Sequence, residues 1–252
     1  MYRFFISSEA VTDGALAITG EDVNHAKNVL RMRVGEELEA VDEDRFLYHC
    51  RILELTEEEI RCEILKKEEP DSELASSVTL FMGLPKGDKM EFIIQKAVEL
   101  GAYAVVPVSM KRCVVKLDEK RGTKKTARWQ QIAESAAKQS RRIQVPEVHE
   151  IVNLKGALEL ASKLDVVLVP YELARGMQET KQILAGITPG QSVGIFIGPE
   201  GGFDEEEILQ LTEAGAKTIT LGHRILRTET AGMALLSVLM FQLELGQGDV
   251  SD

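Results

Sequence analysis

Apolar residues follow two different spacings along this chain. In the first seventy positions they come in short alternating runs, at residues 2–6, 37–41, 46–53 and 60–65, which predict strands separated by turns. One stretch, 23–31, has helical spacing, and the whole suggests a small barrel with His25 among its core candidates. The segment KKEEPDSELASS, 66–77, is polar, contains Pro70 and lacks periodicity, so it reads as an interdomain linker. Beyond it the pattern becomes apolar strand, loop, amphipathic helix, repeated. The runs SVTLFMGL, AYAVVPV, DVVLVP and SVGIFIG are almost free of polar residues, as expected of strands covered on both faces in a mostly parallel sheet. Helices are predicted between them at 88–100, 126–142, 154–164, 177–184 and 204–214, the first ending at Gly101, where a left-handed cap is easy. The fold class is therefore α/β, preceded by a small β domain.

Composition narrows this little. A chain of 252 residues, 44% hydrophobic and 28% charged, can fold as one large unit or two smaller ones, and is neither disordered nor fibrous. No apolar run is long enough to span a bilayer, and the start has no leader pattern, so the expectation is a cytoplasmic protein with no membrane partner. Cys50, Cys62 and Cys113 are odd in number and never approach a CxxC spacing; neither disulfides nor a metal site is expected. Charge does change the picture. The net charge is −11, yet residues 80–145 carry 14 basic and 6 acidic side chains, a segment of +8 inside an acidic protein. Such asymmetry creates either a local positive surface for an anionic partner or a solvated lysine-rich helix face.

Two segments carry candidate chemistry. In IFIGPEGGFDEEEI, 195–208, a buried strand runs into Gly198, Pro199, Glu200, Gly201 and Gly202, and a helix follows with Asp204 as N-cap and Glu207 as its capping-box partner. Adjacent glycines let a ligand approach main-chain groups, and in an open parallel sheet ligands bind beyond the carboxyl ends of strands. The spacing fits neither GxGxxG nor a P-loop, and a plain tight turn is the alternative. In LGHRILRTETAGMALLSVLMFQLEL, 221–245, Thr228 or Thr230 can cap a helix whose opening turns are apolar all round and which must be buried. Arg224 and Arg227 just before it need an anionic partner.

The segments LPKGDKMEFIIQKAVELGA (84–102), IGPEGGFDEEEI (197–208) and LGHRILRTETA (221–231), with HAKNVLRMRVGEEL nearer the start, resemble the bacterial 16S ribosomal RNA uridine N3 methyltransferase family, RsmE. The resemblance covers essentially the whole chain. It implies a SPOUT-type methyltransferase domain over 73–252 with a C-terminal deep trefoil knot, a PUA-like RNA-binding barrel over 1–72, and a homodimer. It also implies S-adenosyl-L-methionine as cofactor and 16S rRNA, in the small ribosomal subunit, as partner. Carried over residue by residue, the cofactor pocket falls on the stretches 169–172, 197–202 and 221–231, with Val169, Pro170 and Glu172; Ile197, Gly198, Pro199, Glu200, Gly201 and Gly202; and Leu221, Gly222, Ile225, Leu226, Arg227, Thr230 and Ala231 as the named positions.

Methyl transfer from a sulfonium is an in-line displacement, which requires donor and acceptor to be aligned and water kept out. N3 of uridine is a weak nucleophile until its proton leaves. The resemblance makes Arg227 and Glu229 candidates near the reacting base, Arg227 for stabilising the uracil anion and Glu229 or Glu200 for accepting the proton; a structural ion pair and a helix-start carboxylate are the plainer readings. Candidate phosphate contacts are Arg3, Arg31 and Arg33 in the barrel and Lys86, Lys89, Arg112, Arg141 and Arg142 in the basic segment. Related knotted enzymes methylate ribose hydroxyls or guanines, and a non-catalytic RNA-binding factor is the reading from a different class.

Overall fold

The computed structural model describes residues 1–70, 73–174 and 176–244. The chain divides into two units, Met1–Glu73 with Ala137–Val145, and Leu74–Ala136 with Pro146–Asp252. The boundary expected at 72/73 falls on Ser72, outside the described residues.

The first unit is a six-stranded sheet formed by β1 (Arg3–Phe5), β2 (Val11–Thr12), β3 (Ala15–Thr19), β4 (Glu37–Val41), β5 (Leu47–Leu55) and β6 (Glu59–Glu68), in the order β1-β4-β5-β6-β3-β2. Only β1 and β4 run parallel. Alternation decides the inner face: Ile60 and Cys62 of β6 are buried while Arg61 and Glu63, which alternate with them, are exposed. Phe4, Leu16, Ile18, Val23, Leu38, Cys50 and Ile52 complete the core. Burial pushes the Cys50 thiol up to about 12 and that of Cys62 to about 11, so both are inert hydrophobes. The helical stretch expected at 23–31 is a single turn, α1 (Glu21–Asn24), running into a π-helical turn at His25–Val29. His25 is exposed there and is not a core residue.

The segment 137–145, assigned from sequence to the second domain, is held in the first unit by specific contacts. Buried Arg142 donates through Nε to Glu73 at 3.0 Å, and the Ile143 amide donates to the same carboxylate at 3.0 Å. Ile143 packs with Val41 and Leu47, and Lys138 pairs with Asp22 at 2.7 Å.

The second unit is a seven-stranded sheet in which every pairing is parallel. Its strands are β7 (Val78–Gly83), β8 (Ala104–Ser109), β9 (Glu147–Val148), β10 (Val152–Asn153), β11 (Val166–Pro170), β12 (Val193–Ile197) and β13 (Lys217–Ile219). The order is β10-β8-β7-β12-β11-β13, with β9 beside β8. All residues of β7 and β12 are buried, and Phe81 stacks on Phe196 across them with ring centres 4.3 Å apart. The helices are α2 (Lys89–Glu99), α3 (Glu119–Gln139), α4 (Leu154–Ala161), α5 (Met177–Ala185), α6 (Glu205–Glu213) and α7 (Thr228–Glu244). Gly101, at φ +83°, ends α2 as anticipated, with the Ala102 amide donating back to Ala97. The α3 helix starts seven residues earlier than predicted and stops at Gln139, because Arg141 takes a left-handed conformation at φ +59°.

The α7 helix is not buried all round. It packs on β12 and α2 through Gly232, Leu235, Leu236, Leu239 and Leu243, and leaves Val238 and Phe241 exposed. Among the described residues no helix is long and apolar enough to cross a membrane, and no cluster of acidic, histidine or cysteine side chains could hold a metal.

Candidate active site

Three strand ends, Pro170 of β11, Ile197 of β12 and Ile219 of β13, stand side by side in the parallel sheet. The loop after β12, 198–203, is fixed from several directions. Asp204 caps α6 with Glu207 as reciprocal partner, the Asp204 amide donating to Glu207 at 2.9 Å. The other oxygen of Glu207 accepts the Lys111 amide at 2.7 Å, while the Lys111 ammonium meets Asp204 at 2.9 Å. Those contacts, chiefly the hydrogen bond from Lys111, hold the Asp204 carboxyl below its ordinary value against the opposing effect of burial. A Cβ on Gly83 would lie 2.7 Å from the Pro199 nitrogen, so β7 must end in glycine for this loop to cross it. The Thr228 hydroxyl, on the first residue of α7 rather than in a cap before it, donates to the Gly198 carbonyl.

The loop after β13, 220–227, lies opposite. Gly222 has φ +107°, and the Thr220 hydroxyl accepts the Gly222 amide at 3.3 Å. Ile225 is 84% exposed. Between the two loops lies a cavity of about 440 Å³, within the usual range for small-molecule sites. Of the expected cofactor residues, Pro170, Glu172, Ile197, Gly198, Pro199, Glu200, Gly202, Leu221, Gly222, Ile225, Leu226, Arg227 and Ala231 line it. Val169, Gly201 and Thr230 do not. Val169 is fully buried in the sheet, Thr230 is exposed, and Gly201 packs on the next loop, where a Cβ would meet Arg112 Cβ at 3.1 Å and its carbonyl oxygen at 3.2 Å. The reason for glycine at 201 is thus a close approach of chain to chain, not of chain to ligand. Tyr171 and His223 line it from within the expected stretches, although neither was singled out, while Phe203 and Thr220 lie just outside those stretches and were missed. For Tyr171 and Thr220 the signal was present, since each directly follows a strand end.

Among the described residues the lining pairs three carboxylates, Glu172, Glu200 and Glu229, with three cations, Lys89, Arg224 and Arg227, over an apolar floor. Such a cavity suits a ligand with an apolar or aromatic body and charges of both signs. Lys89 Nζ lies 3.0 Å from Glu200 Oε1 and 3.6 Å from Glu229 Oε2. The hydrogen bond to Glu200 is the main reason the Lys89 ammonium is held above its ordinary value. Burial pushes the Glu200 carboxyl up, but the Lys86 amide and the Lys89 ammonium outweigh it and leave the group below its ordinary value. Arg227 is exposed and faces the cavity.

The expected phosphate contacts divide sharply. Arg31, Arg33 and Arg141 are exposed, as is Lys86. Arg112 is exposed but bonded to the Gly201 carbonyl and to Asp204, both at 3.4 Å. Arg3 and Arg142 are corrections. Arg3 is buried, donates to Glu39 at 2.7 Å and 2.9 Å, and also donates to the carbonyls of Arg141 and Arg142. Arg142 is buried against Glu73. Neither can reach a phosphate without leaving its carboxylate unpaired inside the protein, a cost of several kcal/mol, about 3–5.

Residues 72–240, which include every residue lining the cavity, match the model of an RNA methyltransferase domain, and residues 18–65 match that of an RNA methyltransferase PUA domain. The chain is 40% identical to ribosomal RNA small subunit methyltransferase E of Bacillus subtilis (strain 168), over 99% of this chain and 100% of that one. This chain belongs to the ribosomal RNA small subunit methyltransferase E family. A crystal structure of ribosomal RNA small subunit methyltransferase E from Neisseria gonorrhoeae bound to S-adenosyl methionine has a TM-score of 0.82 at 35% identity, covering 95% of this chain and 96% of that one. A methyltransferase from Legionella pneumophila, in complex with the bound cofactor SAM, has a TM-score of 0.85 at 31% identity and covers 95% and 97%. Within the family frame the PUA match falls in the first unit, the one whose strands alternate.

Proposed function

We propose that this chain transfers the methyl group of S-adenosyl-L-methionine to N3 of a uridine in the 16S rRNA of the small ribosomal subunit. The observation that carries this reading is the cavity at the ends of β11, β12 and β13, which lies inside the RNA methyltransferase match of a chain whose solved relative is bound to S-adenosyl methionine. The residues present fit that donor. Leu221, Leu226 and Ile197 offer apolar surface for an adenine, main-chain groups on both loops offer donors and acceptors, and the mixed charges suit an amino acid tail beside a sulfonium.

When bound, the donor supplies a methyl carbon on positively charged sulfur. The chain's own residues do the rest. The two loops hold donor and base in line and exclude water. Arg227 offsets negative charge that develops on a uracil carbonyl, and a carboxylate of the Glu200 and Glu229 pair receives the proton from N3. Because N3 lies on the Watson–Crick edge, the target base must be unpaired or drawn out of its stack. Arg31 and Arg33 of the PUA-like unit, with Arg141, Lys86 and Arg112, are the phosphate contacts that this reading keeps.

Three features of the family belong to the same proposal: a deep trefoil knot of SPOUT type in the C-terminal part, a homodimer, and a cytoplasmic location. The exposed Val238 and Phe241 of α7 support the dimer, since a second copy would cover them. Mass spectrometry of nucleosides from small-subunit RNA and from assembled subunits, each incubated with the protein and labelled donor, tests the reaction. Label on N3 of a uridine is expected; label on ribose or guanine overturns the uridine assignment.

A further inference from the structure

We propose that Glu229 is the group that takes the N3 proton and that Lys89, at the first turn of α2, is its positioning residue and not a phosphate contact. This rests on the methyltransferase reading above. Among the described residues three carboxylates line the cavity, and two are poorly placed for the task. Glu172 is exposed, so water competes for it. Glu200 is already engaged: its Oε1 accepts the Lys86 amide at 3.1 Å and the Lys89 ammonium at 3.0 Å, and its Oε2 lies 3.4 Å from the same amide. These donors favour the charged form of Glu200 and make it the weaker proton acceptor.

Glu229 differs in the relevant respect. Its Oε2 is buried and has no hydrogen-bond partner among the described residues. The Lys89 ammonium at 3.6 Å is close enough to attract it but too far to be a hydrogen bond. A buried carboxylate oxygen left without a hydrogen-bond partner is rare in folded proteins, and Glu229, which lines the cavity, is thus free of the donors that occupy Glu200. Glu229 also stands in the first turn of α7, where the helix dipole favours a negative charge.

Lys89 explains how the open oxygen is kept in place. Its ammonium is tied to Glu200, and Glu200 is tied to the backbone of Lys86, so a chain of contacts fixes the cation beside Glu229. The α2 and α7 helices that carry the two residues pack against each other. In the proposed step the N3–H bond of the uracil breaks and its proton passes to Glu229. The N3 electron pair forms a bond to the methyl carbon, and the carbon–sulfur bond breaks with its pair remaining on sulfur. One carboxylate and one sulfonium become one carboxylic acid and one neutral thioether, so charge balances.

The test uses the full-length protein and small subunits from cells grown with or without 5-fluorouracil, since fluorine at C5 makes N3–H more acidic. With ordinary subunits, Glu229→Gln should lower kcat by about 10²–10⁴-fold, and Glu200→Gln by much less. With fluorinated subunits the Glu229→Gln deficit should shrink by at least about tenfold, because a weaker base then suffices. Lys89→Met should lower kcat with little change in KM, and Lys89→Arg should restore part of the loss. Two measurements read no activity: affinity for S-adenosylhomocysteine, and the salt dependence of subunit binding. Both should be unchanged in Lys89→Met, whereas a lost phosphate contact would flatten the salt slope by about one. Failure of the wild-type protein to methylate N3 in either subunit preparation would refute the reaction itself. With an active wild type, near-normal turnover of Glu229→Gln, equal rescue of Glu200→Gln, or a flattened salt slope for Lys89→Met would overturn this inference.

Discussion

The two loops that border the cavity are built in opposite ways. Loop 198–203 is held by a capping box, by Lys111 and Arg112, by a glycine beneath Pro199 and by the Thr228 hydroxyl. Loop 220–227 is tied at its first residue, where the Thr220 amide donates to the Thr180 hydroxyl at 3.0 Å, and beyond that has a bond between Thr220 and Gly222, a left-handed Gly222 and a side chain, Ile225, that is 84% exposed. The first is a finished wall whose ordering was completed on folding. The second leaves its apolar and charged side chains for a ligand to order. One wall of the cavity is therefore fixed by contacts within the protein, while the other carries Arg224 and Arg227 with fewer such contacts.

The largest effect should come from breaking the finished wall. Gly83→Val and Gly201→Val each force a side chain into backbone, at Pro199 and at Arg112, and should destabilise the protein by about 1–3 kcal/mol or more, with a lower Tm. If folded at low temperature, either variant should bind S-adenosylhomocysteine far more weakly in calorimetry. Normal stability in both would show that the loop is not latched. Next is Arg227→Ala in the open loop, which should reduce kcat by about 10²–10³-fold while affinity for the donor changes by less than a few-fold. Equal losses in both would make Arg227 a cofactor-binding residue.

Smaller changes sharpen the contrast. Thr228→Val removes the hydroxyl that joins α7 to Gly198 and should cost roughly 1 kcal/mol by denaturant unfolding, whereas Ile225→Ala should leave stability unchanged. The smallest effect concerns acid. The Asp204 carboxyl is depressed chiefly by the hydrogen bond from Lys111, so its stabilising contribution is present above the ordinary carboxylate value and is lost as pH falls through the depressed one. Asp204→Asn keeps the cap and removes the charge, so its Tm deficit should be constant near neutrality, begin to shrink only as pH falls below about 4, and vanish below the depressed value. A deficit that persists in acid would mean that the ion pair contributes nothing.

Much of this was legible from apolar spacing. The continuous runs of β7, β8, β11 and β12 lie where they were expected, because strands buried on both faces have no reason to admit polar residues. The capping box at Asp204 and the left-handed Gly101 were equally local signals. The hairpin of β2 and β3 was missed although Asp13 and Gly14 mark its two-residue turn, since Val11–Thr12 is too short to show alternation. Short β9, β10 and β13 were missed for the same reason. In the site, most lining residues came from the resemblance, and the errors are informative. Gly201 and Arg142 are constrained by partners 89 and 69 residues away, Arg112 and Glu73, and spacing along the chain cannot reveal such contacts.

The most direct measurement is hydrogen exchange of the intact protein with and without saturating S-adenosylhomocysteine, alongside calorimetry for stoichiometry. One site per chain is expected, with new protection of amides in both loops, larger in 220–227 than in 198–203, where the Gly202 amide is already bonded to the Pro199 carbonyl. Binding that protects neither loop, or the absence of any binding heat and any protection, would contradict the assignment of this cavity to the methyl donor.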